Sequence, residues 1–135
     1  MKYNLFLDDM RFPKEINWIE LPLVEWMIVR NYNQFVQTIQ KLGLPMRISF
    51  DHDLADEHYK EYQWLGDEKN VQSKGKFRYD KIREKTGYDC AKYLIEYCMK
   101  YDLELPEYFI HSFNPIGKKN IISLLESYKK SQNID

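Results

Sequence analysis

The sequence predicts an α/β domain built on a mostly parallel, four-stranded sheet covered on both faces. Three observations carry this expectation. Short apolar runs alternate with stretches of helical periodicity. Three of the four runs stop at ionisable residues, and capping or turn residues mark the joints.

The first run, Tyr3 to Leu7, ends abruptly in Asp8-Asp9, as expected of a buried strand with polar chemistry at its tip. Residues 10 to 22 contain Pro13 and Pro22 and read as loop with one helical turn. Val24 to Val29 is rich in β-branched and aromatic residues and reads as the second strand. Asn33 is expected to cap a helix whose apolar face is Phe35, Val36, Ile39 and Leu42. Gly43 ends that helix and Pro45 follows. Met46 to Phe50 is the third strand, again ending in acids, Asp51-His52-Asp53.

Residues 54 to 85 break the alternation with a charged, aromatic insertion, read as a short helix followed by a mobile loop. A lid or binding segment and a tolerated surface insertion explain it equally well. Thr86-Gly87-Tyr88-Asp89 reads as a capping box for a helix that buries Tyr88, Ala91, Leu94, Ile95, Cys98 and Met99. Tyr108 to Ile110 is the fourth strand and ends in His111-Ser112. Asn114 and Pro115 suit the N-cap and first position of a last helix with Ile121, Leu124, Leu125 and Tyr128 inward. Its tail is expected to fray from Lys129.

At 135 residues the chain is read as a single domain, 1–135. Its net charge of −1 draws it neither to membranes nor to duplex nucleic acid, and the basic stretches 74–83 and 118–119 read as solvated faces. Cys90 and Cys98 lie within one expected helix, about 12 Å apart at helical rise. That is too far for a mutual disulfide, so they read as reduced core residues. There is no signal-peptide pattern and no apolar run of spanning length, so a cytoplasmic location is expected.

In an open parallel sheet the carboxyl ends of the strands share one edge, where such folds bind ligands. Asp8, Asp9 and Asp51 would meet there as oxygen ligands for Mg²⁺, because clustered carboxylates need a cation or shifted pKa values. As strand-end carboxylates they have a blander role, accepting loop N–H bonds. His52 and His111 would supply the acid and base of a phosphoester reaction, with Asp53 orienting His52. A hydrogen-bonded structural histidine is the ordinary alternative for either. Ser112, Asn114, Gly117 and Lys118 would present an anion with a hydroxyl, a helix N-terminus, an open backbone and a charge. The same residues also make a well-capped helix. His58 reads as a surface residue.

Four segments carry a family resemblance: Leu5 to Pro13, Ser49 to Leu54, Thr86 to Asp89 and His111 to Gly117. In order and spacing they resemble the cyclic-phosphate processing receiver family, a compact relative of response-regulator receiver domains. The resemblance implies a receiver-like (flavodoxin-like) three-layer α/β sandwich, strand order 2-1-3-4, without the receiver's fifth strand and its lysine. It maps the Mg²⁺-binding acidic pair to Asp8 and Asp9, the phosphoacceptor to Asp51 and the Ser/Thr after the fourth strand to Ser112. Arg11, within the first segment, joins the phosphate- or nucleotide-binding candidates. His52 and His111 have no place in a phosphorelay, which favours hydrolysis over signalling.

The expected function is therefore a phosphoesterase that opens or hydrolyses a cyclic phosphate on a cyclic nucleotide or an RNA end. Two other readings compete with it. One is a non-catalytic module that sequesters a cyclic nucleotide, with Trp64 or a tyrosine of the insertion stacking on the base. The other is a degenerate receiver used in phospho-signalling, for which acetyl phosphate labelling lost in Asp51→Asn is the test.

Overall fold

The computed structural model describes residues 2–54 and 85–132. The expectations for the insertion, including its helix, His58 and the stacking role of Trp64, fall outside them. The order of elements is β1 (Asn4–Leu7), a 3₁₀ turn (Pro13–Glu15), β2 (Met27–Val29), α1 (Tyr32–Leu42), β3 (Arg47–Phe50), α2 (Gly87–Tyr101), β4 (Glu107–Ile110) and α3 (Pro115–Gln132). The strands form one sheet in the order β2-β1-β3-β4, every pair parallel. This is the receiver-like α/β arrangement the sequence predicts.

Strand periodicity divides the sheet into two unlike faces. Leu5, Leu7, Ile48, Phe50 and Ile110 share one face and pack with Phe35 and Ile39 of α1, Leu94 and Cys98 of α2, and Ile121 and Leu125 of α3. The three α-helices of the described residues thus contribute to one core. The crossovers β2-α1-β3 and β3-α2-β4 step in the same direction across the sheet, and right-handed crossovers then place their helices on one side. The step from β1 to β2 runs the other way, so its connection covers the opposite face. That connection is irregular chain: Trp26 meets Phe6 edge-on, and Trp18 donates its indole N–H to the His111 carbonyl at 2.7 Å.

Several boundaries differ from the sequence reading. Only Met27–Val29 of the expected second strand pairs with β1, while Leu23, Val24 and Glu25 are exposed. The N-cap of α1 is Asn31, not Asn33, because the Asn31 side chain accepts from the Gln34 N–H at 2.8 Å and Asn33 lies inside the first turn. Gly43 ends α1 at φ +82°, a left-handed value that glycine adopts without a side-chain clash. In α2 the buried stripe is Gly87, Cys90, Ala91, Leu94 and Cys98, and Met99 points outward. α3 continues to Gln132 rather than fraying at Lys129, since Tyr128 and Gln132 both donate to the Leu103 carbonyl. The capping box at Thr86 and Asp89 is formed as expected. Cys90 and Cys98 are free and buried, and burial pushes the Cys98 thiol up to about 11. Among the described residues no helix is long and apolar enough to cross a membrane.

Candidate functional site

The hydrogen-bond ladder runs one residue past each strand at the carboxyl edge. Asp8 N–H donates to Val29, Asp51 N–H to Leu7 and His111 N–H to Phe50. This holds Asp8, Asp51 and His111 at one level across β1, β3 and β4. Period-two alternation puts them on the same face as Phe6, Ser49 and Phe109, opposite the helical core.

Asp8, Asp9 and Asp51 converge, each offering an oxygen within 4.8 Å of the others. Asp8 and Asp51 are buried and Asp9 is half-buried. Asp8 Oδ1 accepts from the N–H groups of Met10 (2.9 Å) and Arg11 (2.8 Å), and its Oδ2 faces His111 Nε2 at 3.0 Å. Burial raises the Asp8 pKa, but the hydrogen bonds from His111 and the two N–H groups outweigh it and hold the carboxyl below its usual value. Asp51 goes the other way. Burial first, then the charges of Asp8 and Asp9, push it up to about 7. An acidic cluster that forces one member to retain its proton near neutrality is suited to a hard divalent cation with oxygen ligands. On that ground the three residues fit Mg²⁺.

His111 is fully buried. Its ring stacks on Phe6 at 4.6 Å and 4°, and Nδ1 lies 2.6 Å from Ser49 Oγ. With Asp8 ionised, Nε2 carries the proton that Asp8 accepts, and Nδ1 accepts from the Ser49 hydroxyl. Both nitrogens are engaged within the protein, so His111 offers none to a ligand in this conformation. His52 is placed differently. Its side chain keeps 18% of its surface exposed, and Nδ1 lies 2.9 Å from Asp53 Oδ1. The two histidines of the sequence reading thus occupy different settings, one sealed beneath Asp8 and one at the rim.

Two glycines shape this rim. Gly87 donates its N–H to the His52 carbonyl at 2.7 Å. A Cβ on Gly87 would fall 1.9 Å from the Asp51 carbonyl oxygen, so only glycine lets α2 start this close to β3. A Cβ on Gly117 would fall 2.3 Å from Cγ of the His52 ring. The open backbone expected to receive a phosphate is therefore occupied by that imidazole.

The other expected binding residues surround these. Ser112 is buried, and its Oγ accepts from Asn114 N–H at 3.0 Å. Asn114 caps α3 through Gly117 N–H (2.9 Å) and extends Nδ2 toward Asp53 Oδ1 (3.4 Å). Lys118 is half-buried in the first turn of α3. The Arg11 guanidinium lies 5.3 Å from the Trp18 ring and 5.1 Å from that of Phe113.

Ser49, Trp18 and Phe113 are contacts that the sequence reading missed. Ser49 had a legible signal: it is a polar residue inside an apolar strand, two positions before Asp51 and hence on the same face. Trp18 had none, since it reaches His111 across ninety-three residues.

No curated protein and no solved structure matches the chain significantly. The family model described as the cyclic-phosphate processing receiver domain matches residues 3–127. That span contains all four strands, the three converging aspartates and both site histidines. The chain belongs to the cyclic-phosphate processing receiver domain family.

Proposed function

We propose that this domain hydrolyses a cyclic phosphate, carried by a cyclic nucleotide or an RNA end, at the carboxyl edge of the sheet, where Asp8, Asp9 and Asp51 converge and His52 follows Asp51 in the chain. The observation that carries the reading is the convergence of three carboxylates within 4.8 Å, next in the chain to an accessible imidazole. His52 donates its Nδ1–H to Asp53, which leaves the Nε2 lone pair to take a proton from water. Water adds to phosphorus, one ring P–O bond breaks, and the proton lost by water ends on the departing oxygen. Asp8, Asp9 and Asp51 would hold Mg²⁺, which when bound supplies positive charge for the phosphoryl oxygens. Arg11, Lys118 and the N-terminal end of α3 add to the attraction for an anion, with Ser112 and Asn114 shaping the loop between β4 and α3. His111 has a positioning role here, fixing Asp8 from below.

Incubation with nucleoside 2′,3′-cyclic monophosphates, with and without EDTA, tests the proposal. Turnover is expected, and it should drop sharply in His52→Ala and Asp51→Asn. No turnover, or turnover undiminished in both variants, sinks the enzymatic reading.

One observation favours a second reading, a module that captures a cyclic nucleotide and leaves it intact. The sealed setting of His111 leaves, among the described residues, one partly exposed imidazole in place of the expected acid–base pair. Calorimetric binding with the ligand recovered unchanged would support it.

A further inference from the structure

We infer that Phe113, stacked on Trp18, is the platform for the nucleobase of the cyclic phosphate's nucleoside. This deepens the proposed function and rests on it. Phe113 is 61% exposed although its neighbour Ser112 is buried. One of its faces is taken: the Trp18 and Phe113 rings lie 4.0 Å apart at 24°. Arg11 does not cover the other face. Its guanidinium is nearly equidistant from the two ring centres, which places it beside the stacked pair. A cation on the outer face of Phe113 would be much farther from Trp18 than from Phe113.

The platform is rigid before any ligand arrives. Trp18 is tied by its indole N–H to the His111 carbonyl, and Arg11 is anchored by its own N–H to Asp8 Oδ1. A flat ring held in place loses little freedom on binding, which is the economical way to bind a base. The setting matches the chemistry of a nucleotide. An open aromatic face suits a base of any identity, because every base has a π-face. The guanidinium beside it, and the carboxylate cluster to which Asp8 and Asp9 of the same loop belong, suit the phosphate and its cation. Met10 and Ile116, 67% and 72% exposed, lie in the two segments that carry this trio. The acidic edge of the sheet thus also exposes apolar side chains, for which a purely phosphate-binding rim has no use.

The experiment compares adenosine 2′,3′-cyclic monophosphate with base-free ribose 2′,3′-cyclic phosphate by calorimetry on the full chain with Mg²⁺. The nucleotide should bind about ten-fold tighter or better. Phe113→Ala should erase that preference and Phe113→Trp should keep it. Equal binding of the two ligands, or a preference untouched by Phe113→Ala, overturns the inference and leaves the phosphate reading standing. Binding of neither ligand removes that reading and this inference with it.

Discussion

His111 Nε2 stands 3.0 Å from Asp8 Oδ2, and neither side chain has any solvent exposure. The imidazole also contacts Ser49 and Phe6, so a residue at the tip of β4 braces a carboxylate at the tip of β1 through the intervening strand β3. Removing one member of such a buried pair leaves the other without compensation. His111→Ala is expected to cost roughly 3–5 kcal/mol and Ser49→Ala about 1–3 kcal/mol in urea unfolding. The sign with pH follows from the lowered Asp8 pKa. Its stabilisation is complete above the unfolded carboxylate value and is lost as pH falls through the folded one. Acid unfolding of His111→Ala should therefore begin at a higher pH than in the wild type. Equal stability of the variant and the wild type would contradict the bracing role.

Asp51 predicts the opposite slope. Its folded pKa, about 7, lies above the ordinary 3.8, so the folded protein holds a proton that the unfolded chain has released between those values. This contribution is fully present below about pH 4 and is lost as pH rises to about 7. In EDTA, Asp51→Asn should exceed the wild type in stability at pH 8 by roughly 2–4 kcal/mol and show no advantage at pH 4. Adding Mg²⁺ should raise the melting temperature of the wild type and not that of the variant. Parallel melting curves across pH 4 to 8 would refute the assignment.

Gly87→Ala should damage the fold. The added Cβ meets the Asp51 carbonyl oxygen at 1.9 Å, and backbone cannot swing aside. The expected loss is about 1–3 kcal/mol or more, as for other overpacked sites. It should appear as a lower urea midpoint with the start of α2 displaced from His52.

Gly117→Ala should damage function instead. Its Cβ would meet a side-chain ring, which can rotate, and alanine favours the helix by roughly 0.5–1 kcal/mol over glycine. The variant is expected to lose less stability than Gly87→Ala while displacing His52 from Asp53. Cyclic-phosphate turnover should fall toward that of His52→Ala. Wild-type turnover in a well-folded Gly117→Ala would show that the His52 position is not critical.

Local chemistry made much of this fold readable in advance. Apolar runs ending in charges located the strand tips, and Thr86 with Asp89, and Asn114 with Pro115, marked two helix starts correctly because a cap involves neighbours in sequence. Asn31 and Asn33 were harder to separate, since both are good caps two residues apart and only the bond to Gln34 decides between them. The gathering of Asp8, Asp9 and Asp51 followed from parallel topology. The burial of His111 did not, because it depends on Phe6 and Ser49 from other strands. Nor did the contact between Gly117 and His52, which joins the start of one helix to the tip of a distant strand. Residue type announced these groups as chemical, but tertiary packing decided which of them faces outward.

The bond from Gly87 N–H to the His52 carbonyl joins β3's tip to the start of α2. It ties the residue that follows Asp51 directly to the first residue of α2, across the thirty residues 55–84 of the sequence. Closing a loop costs only about 0.6 kcal/mol more for each doubling of its length. By closure alone, halving the number of residues between Leu54 and Lys85 changes stability by about that 0.6 kcal/mol, less than the clash at Gly87 would cost.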